Sequence, residues 1–385
     1  MTGRIYLDGH ATTALDPEVL AAMLPYLTEE YGNPASVTHD AGERAALAVD
    51  RAREQVGRLL GVPASGMIFT SGATEANNLA LLGLAAARNT PGRIISAPTE
   101  HASILAPLRH LEARGWTVTL LPVDDCGRVD PEDLRRALRS PAALVSLMTA
   151  NNEIGTIHPI RGLAALAREQ GVPFHTDAAQ AAGWLPLSEL GVDLLTLSAH
   201  KFHGPKGVGV LARTEASPRL APLLHGGGQE SGLRPGTLNV AAIVGLGAGC
   251  ARVMAVAAEA PDRVRRLRDR LEAALSVLGG VTVHGAPEAR LPNNLSISVA
   301  GVHAEAVLLA APTLAASTGA ACAASGSEPS HVLRAIGLDA NQVRSSLRFG
   351  LGHLNTEAEV EEAAAALVAA VRRLRALAQE RLSAS

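Results

Sequence analysis

Lysine and arginine together account for 34 of the 385 residues, and only two of them, Lys201 and Lys206, are lysines. Both lie in one short segment, His200-Lys201-Phe202-His203-Gly204-Pro205-Lys206-Gly207. A guanidinium keeps its proton at any workable pH and cannot attack a carbonyl, whereas an amine can once it is desolvated. In a chain that otherwise uses Arg for positive charge, a retained lysine is a candidate for amine chemistry. Phe174-His175-Thr176-Asp177-Ala178-Ala179-Gln180 puts a carboxylate at the exit of an apolar strand. Such an aspartate can cap the next helix, or hold a pyridine nitrogen protonated and so turn the ring into an electron sink. A later strand ends at Leu197-Ser198-Ala199-His200-Lys201, a distance that fits one crossover. Asp177 and Lys201 could then face one ligand from opposite ends.

Other segments carry weaker signals of the same kind. Thr70-Ser71-Gly72-Ala73-Thr74-Glu75-Ala76-Asn77 follows a strand and opens a helix. Free N–H groups and the helix dipole make that place an anion site, and Gly72 lets the backbone approach closely. Thr99-Glu100-His101 follows another strand, where an imidazole can stack on a planar ring and move protons, or simply cap a helix. The three cysteines are Cys126, Cys250 and Cys322. Cys126 and Cys250 read as small buried hydrophobes. Cys322 differs, because it sits in a run of small residues, Thr318-Gly319-Ala320-Ala321-Cys322-Ala323-Ala324-Ser325-Gly326, ahead of a helix starting near Pro329. A thiol is a few per cent thiolate at neutral pH, so some activation is expected there.

These segments need a scaffold that brings strand ends together. From about residue 16 to 255, helix-like and strand-like segments alternate. Strands are expected at 67–70, 93–96, 117–120, 143–148, 173–176, 194–198 and 208–212, with helices at 43–60, 72–87, 103–114, 131–138 and 163–170. Short, nearly all-apolar strands between helices predict a mainly parallel sheet covered on both faces, with ligands at the carboxyl ends of the strands. Beyond the apolar helix near 240–258 the pattern becomes helix, alternating strand (294–299) and a long terminal helix (357–381), a smaller α+β unit. The predicted division is a large domain over 16–258 and a small domain formed by 1–15 and 259–385.

Composition narrows the class. Hydrophobic residues make up 47% and charged residues 18%, with a formal net charge of −3, so no basic field points to nucleic acid. The local clusters Arg263-Val264-Arg265-Arg266 and Arg372-Arg373 read as solvated helix faces. Three scattered cysteines make neither a disulfide framework nor a zinc site and point to a reducing compartment. The first residues lack the apolar core of a signal peptide. The 240–258 stretch is interrupted by Arg252 and by glycines, which favours a buried helix over a membrane span. A soluble, cytoplasmic protein is expected.

The ordered set Ser-Gly-Ala-Thr-Glu (71–75), Thr-Glu-His (99–101), Asn-Asn-Glu-Ile-Gly (151–155), Asp-Ala-Ala-Gln (177–180), Ser-Ala-His-Lys (198–201), Arg-Pro-Gly-Thr (234–237) and Ser-Ser-Leu-Arg-Phe (345–349) resembles the NifS/IscS-type cysteine desulfurases. These are class V aminotransferase-like, fold type I pyridoxal-phosphate enzymes, and the resemblance runs from Tyr6 to about Leu374. It implies pyridoxal 5'-phosphate linked to Lys201, with Lys206 structural. It further implies Asp177 on the pyridine nitrogen, Gln180 on the ring hydroxyl and His101 stacked on the ring. Ala73, Thr74, Ser198 and His200 would hold the phosphate, joined by Thr237 from the second subunit of a homodimer. Asn152 and Arg348 would hold the carboxylate of the substrate, L-cysteine, Arg348 by its two-pronged geometry. Cys322 would take the sulfur as a persulfide and pass it to an acceptor protein, an iron–sulfur scaffold or a thiolation enzyme for tRNA or DNA. No direct contact with nucleic acid or membrane is implied. Ala199 stands where the family usually has glycine, and the cysteine loop carries Ala323 and Ala324 where hydroxyls are usual. The chain also stops soon after the terminal helix, without the longer tail of relatives that dock a scaffold. Rival readings are a selenocysteine lyase, a class V aminotransferase that needs no thiol, and a sulfur-handling scaffold without cofactor chemistry.

Overall fold

The computed structural model describes residues 4–319 and 329–383. The chain opens with strand β1 (Ile5–Tyr6), helices α1 (Pro17–Met23) and α2 (Pro25–Thr28), and the long helix α3 (Asp40–Leu60). An alternating stretch follows: β2 (Met67–Thr70), α4 (Ala73–Ala86), β3 (Arg93–Ser96), α5 (Ala102–Glu112), β4 (Thr117–Leu120), α6 (Pro131–Ala137) and β5 (Leu144–Ser146). It continues through α7 (Ile160–Glu169), β6 (Phe174–Asp177), β7 (Leu194–Ser198) and β8 (Gly209–Arg213). Then come α8 (Val240–Val256), α9 (Ala260–Ser276), β9 (Val281–Val283), β10 (Asn294–Val299), α10 (Ala304–Ala310), β11 (Leu314–Ala315) and β12 (Ser317–Thr318). The last elements are α11 (His331–Ala335), α12 (Ala340–Arg344), β13 (Ser346–Gly350) and α13 (Glu357–Ser383).

The seven strands β2 to β8 form one sheet in the order β2-β8-β7-β6-β5-β3-β4. Every neighbouring pair is parallel except the two made by β8, which runs against both β2 and β7. The sheet is therefore mainly parallel and covered on both faces: β2, β5, β6 and β7 are buried along their whole length. One face packs α3 and α8 around Val49, Val56, Leu197 and Leu246. The same face carries α6 and α7 over the far strands, around Leu134, Leu163 and Phe174, and the opposite face carries α4 and α5; the neighbours Ile94 and Ile95 of β3 point into the cores of the two different faces. A second, antiparallel sheet, β12-β13-β10-β9, packs against α9, α10 and α13, and β1 pairs with β11 nearby.

The expected helix over 43–60 begins earlier, at Asp40, because the His39 ring accepts the Gly42 N–H and caps the first turn. It ends at Gly61, whose φ of 65° closes it with a left-handed residue. The helix expected near Pro329 starts at His331, capped by the Ser330 hydroxyl. Cys126 departs from its reading as a packing residue. It lies half-buried in the Asp124–Arg128 turn, where its N–H bonds Asp124 and its carbonyl accepts from Thr156, whereas Cys250 is fully buried in α8. Cys322 lies outside the described residues.

Among the described residues no single helix is long and apolar enough to cross a bilayer; α8 and α9 reach that length only as a pair bent by 79°. The glycines of α8 have a packing reason instead. A Cβ on Gly247 would come within 2.7 Å of the Ala52 Cα, and one on Gly245 within 2.6 Å of the Met23 Sδ. Bare backbone at these positions lets α8 lie directly on α3 and α1.

Candidate active site

The carboxyl ends of the parallel strands open into a cavity of about 650 Å³, together with residues from the N-terminal arm and the second sheet. The sequence-predicted residues Ala73, Thr74, His101, Asn152, Asp177, Gln180, Ser198, His200, Lys201 and Arg348 all line it. Thr237 does not: it is exposed and is not among the residues that line the cavity of its own chain. Lys206, expected to be structural, stands exposed at the cavity rim.

Lys201 follows β7 in a single turn of 3-10 helix. That turn is tied down by the arm, since the Thr13 N–H and hydroxyl both donate to the His200 carbonyl, at 2.9 and 3.0 Å. The Thr13 oxygen in turn accepts the His203 N–H at 2.7 Å. His203 has φ of 64°, a left-handed conformation unusual for a side chain of its size, and these contacts over-determine it. The Lys201 Nζ donates to the carbonyls of His10 at 2.5 Å and Ala11 at 2.9 Å.

Asp177 ends β6 and is almost fully buried. One carboxylate oxygen accepts the Ala179 N–H at 2.9 Å and so steadies the turn after β6; no helix follows there for Asp177 to cap. The other accepts from Asn77 Nδ2 at 2.7 Å. Asn77 also donates to the Ser103 hydroxyl at 2.8 Å. That leaves the Ser103 O–H to donate to His101 Nδ1, 2.8 Å away, and the Ser103 N–H reaches the same nitrogen at 3.1 Å. His101 Nδ1 is thus the acceptor, and in the neutral ring the proton sits on Nε2. Removal from water lowers the His101 pKa; Asp177 opposes this and Lys201 adds to it. The neighbouring Glu100 is fully buried, accepts the Met148 N–H at 2.7 Å, and is held well above the usual carboxylate range by burial.

The end at α4 is built for an anion. Gly72, the helix N-cap, has φ of 150° and ψ of −178°, a conformation open almost only to glycine. The first turn of a 14-residue helix faces the cavity there, beside Ser198 and His200. His200 bonds Thr12 Oγ1 at 3.1 Å, and its pKa falls to about 4 through burial and then the two lysines. Glu75 is in the same turn, but its charge is spent on the Ser71 N–H at 2.6 Å and on Arg234 at 3.1 Å.

Across the cavity, Arg348 projects from β13. Its guanidinium donates to Asp8 Oδ1 at 3.1 Å, Ser317 Oγ at 3.1 Å and the Asn152 carbonyl at 3.2 Å. Asn152 Oδ1 is buried with no hydrogen-bond partner among the described residues. On either side of residues 320–328 the chain is pinned: Gly319 N–H bonds the Ser346 carbonyl at 2.8 Å, and Ser330 N–H bonds Gly319 at 3.2 Å.

Asp8, His10, Thr12 and Ser317 also line the cavity, with Asn77 behind Asp177, though no local pattern marks them for a role. The donor set fits pyridoxal phosphate: a lysine amine, a buried carboxylate for a ring N–H, and a helix N-terminus for a phosphate. The cavity also falls in the size range of cofactor sites.

Residues 5–363 match the family model Aminotransferase class-V. The chain is 46% identical over 376 residues to "Cysteine desulfurase IscS" of Anaeromyxobacter sp. (strain Fw109-5), covering 96% of this chain and 93% of that protein. A solved "NIFS-LIKE PROTEIN" superposes with a TM-score of 0.88 at 36% identity, covering 98% of this chain and 99% of the other. The structure titled "SspA in complex with cysteine" gives a TM-score of 0.79 at 33% identity, with 91% and 99% covered.

Proposed function

The chain belongs to the aminotransferase class-V family, whose members are pyridoxal-phosphate enzymes, and within it to the cysteine desulfurases; on that premise we propose that it binds pyridoxal 5'-phosphate covalently through Lys201 and stores sulfur on Cys322. The observation that carries this reading is the convergence of Lys201, Asp177 and the open end of α4 on one cavity.

The cofactor, when bound, supplies the electron sink that labilises the substrate. The chain's own residues do the rest. Asp177, fixed by Asn77 and Ala179, holds a proton on the ring nitrogen. Gln180 meets the ring oxygen, and His101 stacks on the ring with its Nε2–H available for proton transfer. Ala73, Thr74, Ser198 and His200 surround the phosphate, and Thr237 reaches it from the partner subunit of a homodimer. Asn152 and Arg348 orient the carboxylate of L-cysteine, and Asp8 and Ser317 anchor the guanidinium through Nη2. The Cys322 thiolate attacks the substrate sulfur. The carbon–sulfur bond breaks, its electrons and a proton stay with the carbon skeleton, and L-alanine leaves behind a Cys322 persulfide. The outer sulfur then passes to an acceptor-protein thiol on a scaffold or thiolation enzyme. The large unit is 16–258, the small one 1–15 with 259–385, and the setting is cytoplasmic.

Borohydride reduction followed by peptide mapping tests the centre of this reading. The cofactor is expected on Lys201; Lys201→Ala loses the visible band and nearly all alanine formation from cysteine, while Lys206→Arg keeps its colour. Attachment at Lys206, or keto-acid formation in place of alanine, contradicts it.

A further inference from the structure

Gln180 is an amide whose two ends look alike, and which end faces a ligand decides what it can bind. Here the surroundings decide. Gln180 Nε2 lies 3.1 Å from the His10 carbonyl, which can only accept, so that end is the NH₂ group. Gln180 Oε1 must then accept from His10 Nδ1, 2.9 Å away. His10 Nε2 is left as an acceptor, and it receives Asn294 Nδ2 at 3.0 Å. Asn294 is fixed independently, because the same Nδ2 donates to the Glu153 carbonyl at 3.1 Å. Two backbone carbonyls thus set the whole chain, and only the Nδ1–H tautomer of a neutral His10 satisfies it. A charged ring would turn N–H against the Asn294 NH₂. His10 is fully buried and its pKa is pushed down to about 3, first by burial and then by Arg348.

We infer that His10 is a positioning residue that locks Gln180 with its remaining N–H toward the cavity and its carbonyl turned away. The site then takes the ring oxygen of the cofactor as an acceptor, in its ionised form. This rests on the reading that pyridoxal phosphate binds through Lys201. His10 serves the same site through its backbone, since its carbonyl receives both Gln180 and the Lys201 amine.

The test uses the full-length enzyme loaded with pyridoxal phosphate, comparing His10→Leu, His10→Asn and His10→Asp. At neutral pH the ionised ring oxygen gives the visible cofactor band and the neutral form a near-ultraviolet one. With no donor to hold Gln180, His10→Leu is expected to lower the visible-to-ultraviolet ratio by on the order of ten-fold, the worth of about one hydrogen bond. His10→Asn offers an N–H at the position of Nδ1 and restores the ratio. His10→Asp offers only acceptors there and shifts the spectrum as Leu does, which separates the donor from mere polarity if His10→Leu fails to fold. A wild-type spectrum in both His10→Leu and His10→Asp, with the cofactor still fixed on Lys201 by borohydride, overturns the inference. So does a His10→Asn spectrum matching that of His10→Asp. A wild-type enzyme with no cofactor on Lys201 overturns the underlying reading as well, and the mapping tells the two failures apart.

Discussion

Histidines show most plainly how far this chain bends ordinary side-chain chemistry. Burial pushes His10 to about 3 and His158, His175 and His284 to about 4. His175, in the middle of the main sheet, bonds hydroxyls on both neighbouring strands, Ser146 at 2.9 Å and Thr196 at 3.1 Å. These rings stay neutral in the folded protein, while in the unfolded chain they take up a proton near the ordinary pKa of about 6.5. The unfolded state then binds more protons than the folded one, so stability is complete above about 6.5 and falls as the pH drops toward 4. The urea midpoint of the cofactor-free protein is expected to fall steadily across that window. A flat profile contradicts the placement of these rings. At this scale the sequence singled out His101 and His200 by their motifs, but not His10, whose partners Gln180 and Asn294 are 170 and 284 residues away. No local pattern records a contact of that separation.

The elements were legible where apolar runs met clear stops. Gly61 and Gly171 close helices with φ of 65° and 67°, and the strands of the main sheet fall within a residue or two of their expected spans. Reversal of β8 was not legible, because a strand buried on both faces reads the same in either direction. The use of the α8 glycines was visible only as composition until α3 lay against them. Gly247→Val would drive a side chain into the Ala52 backbone, and overpacking of this kind costs about 1–3 kcal/mol. Urea titration should show the loss with an unchanged slope, and wild-type stability in that variant would contradict the close approach of the two helices. The turn at 229–232 makes the same point in reverse. Glu230 and Ser231 both have positive φ, at 49° and 56°, held by a buried pair in which Arg53 meets Glu230 at 2.7 Å. Nothing in the local sequence announces that strain.

For the molecule as a whole, the motifs named the family and most of the cavity, because each sits at a strand end that the fold brings to one place. What escaped was the arm that closes it, Asp8 to Thr13, whose work is done across the chain. Thr237 belongs to the same scale: exposed and outside the lining of its own cavity, it is expected to act in the neighbouring subunit. Mixing Thr237→Ala with Lys201→Ala subunits then creates hybrids with one intact site, so cofactor binding and turnover recover above either parent. Absence of recovery in mixed dimers, or a fully active monomer of 39.7 kDa, rules out the shared site. The central claim, that sulfur leaves cysteine onto one thiol of this chain, is tested most directly by mass spectrometry after incubation with L-cysteine without reductant. The account predicts a gain of about 32 Da, one persulfide sulfur, on the peptide bearing Cys322, with alanine formed alongside and no adduct in Cys322→Ser. An adduct on Cys126 or Cys250 instead, or sulfur released at the wild-type rate by Cys322→Ser, would contradict it.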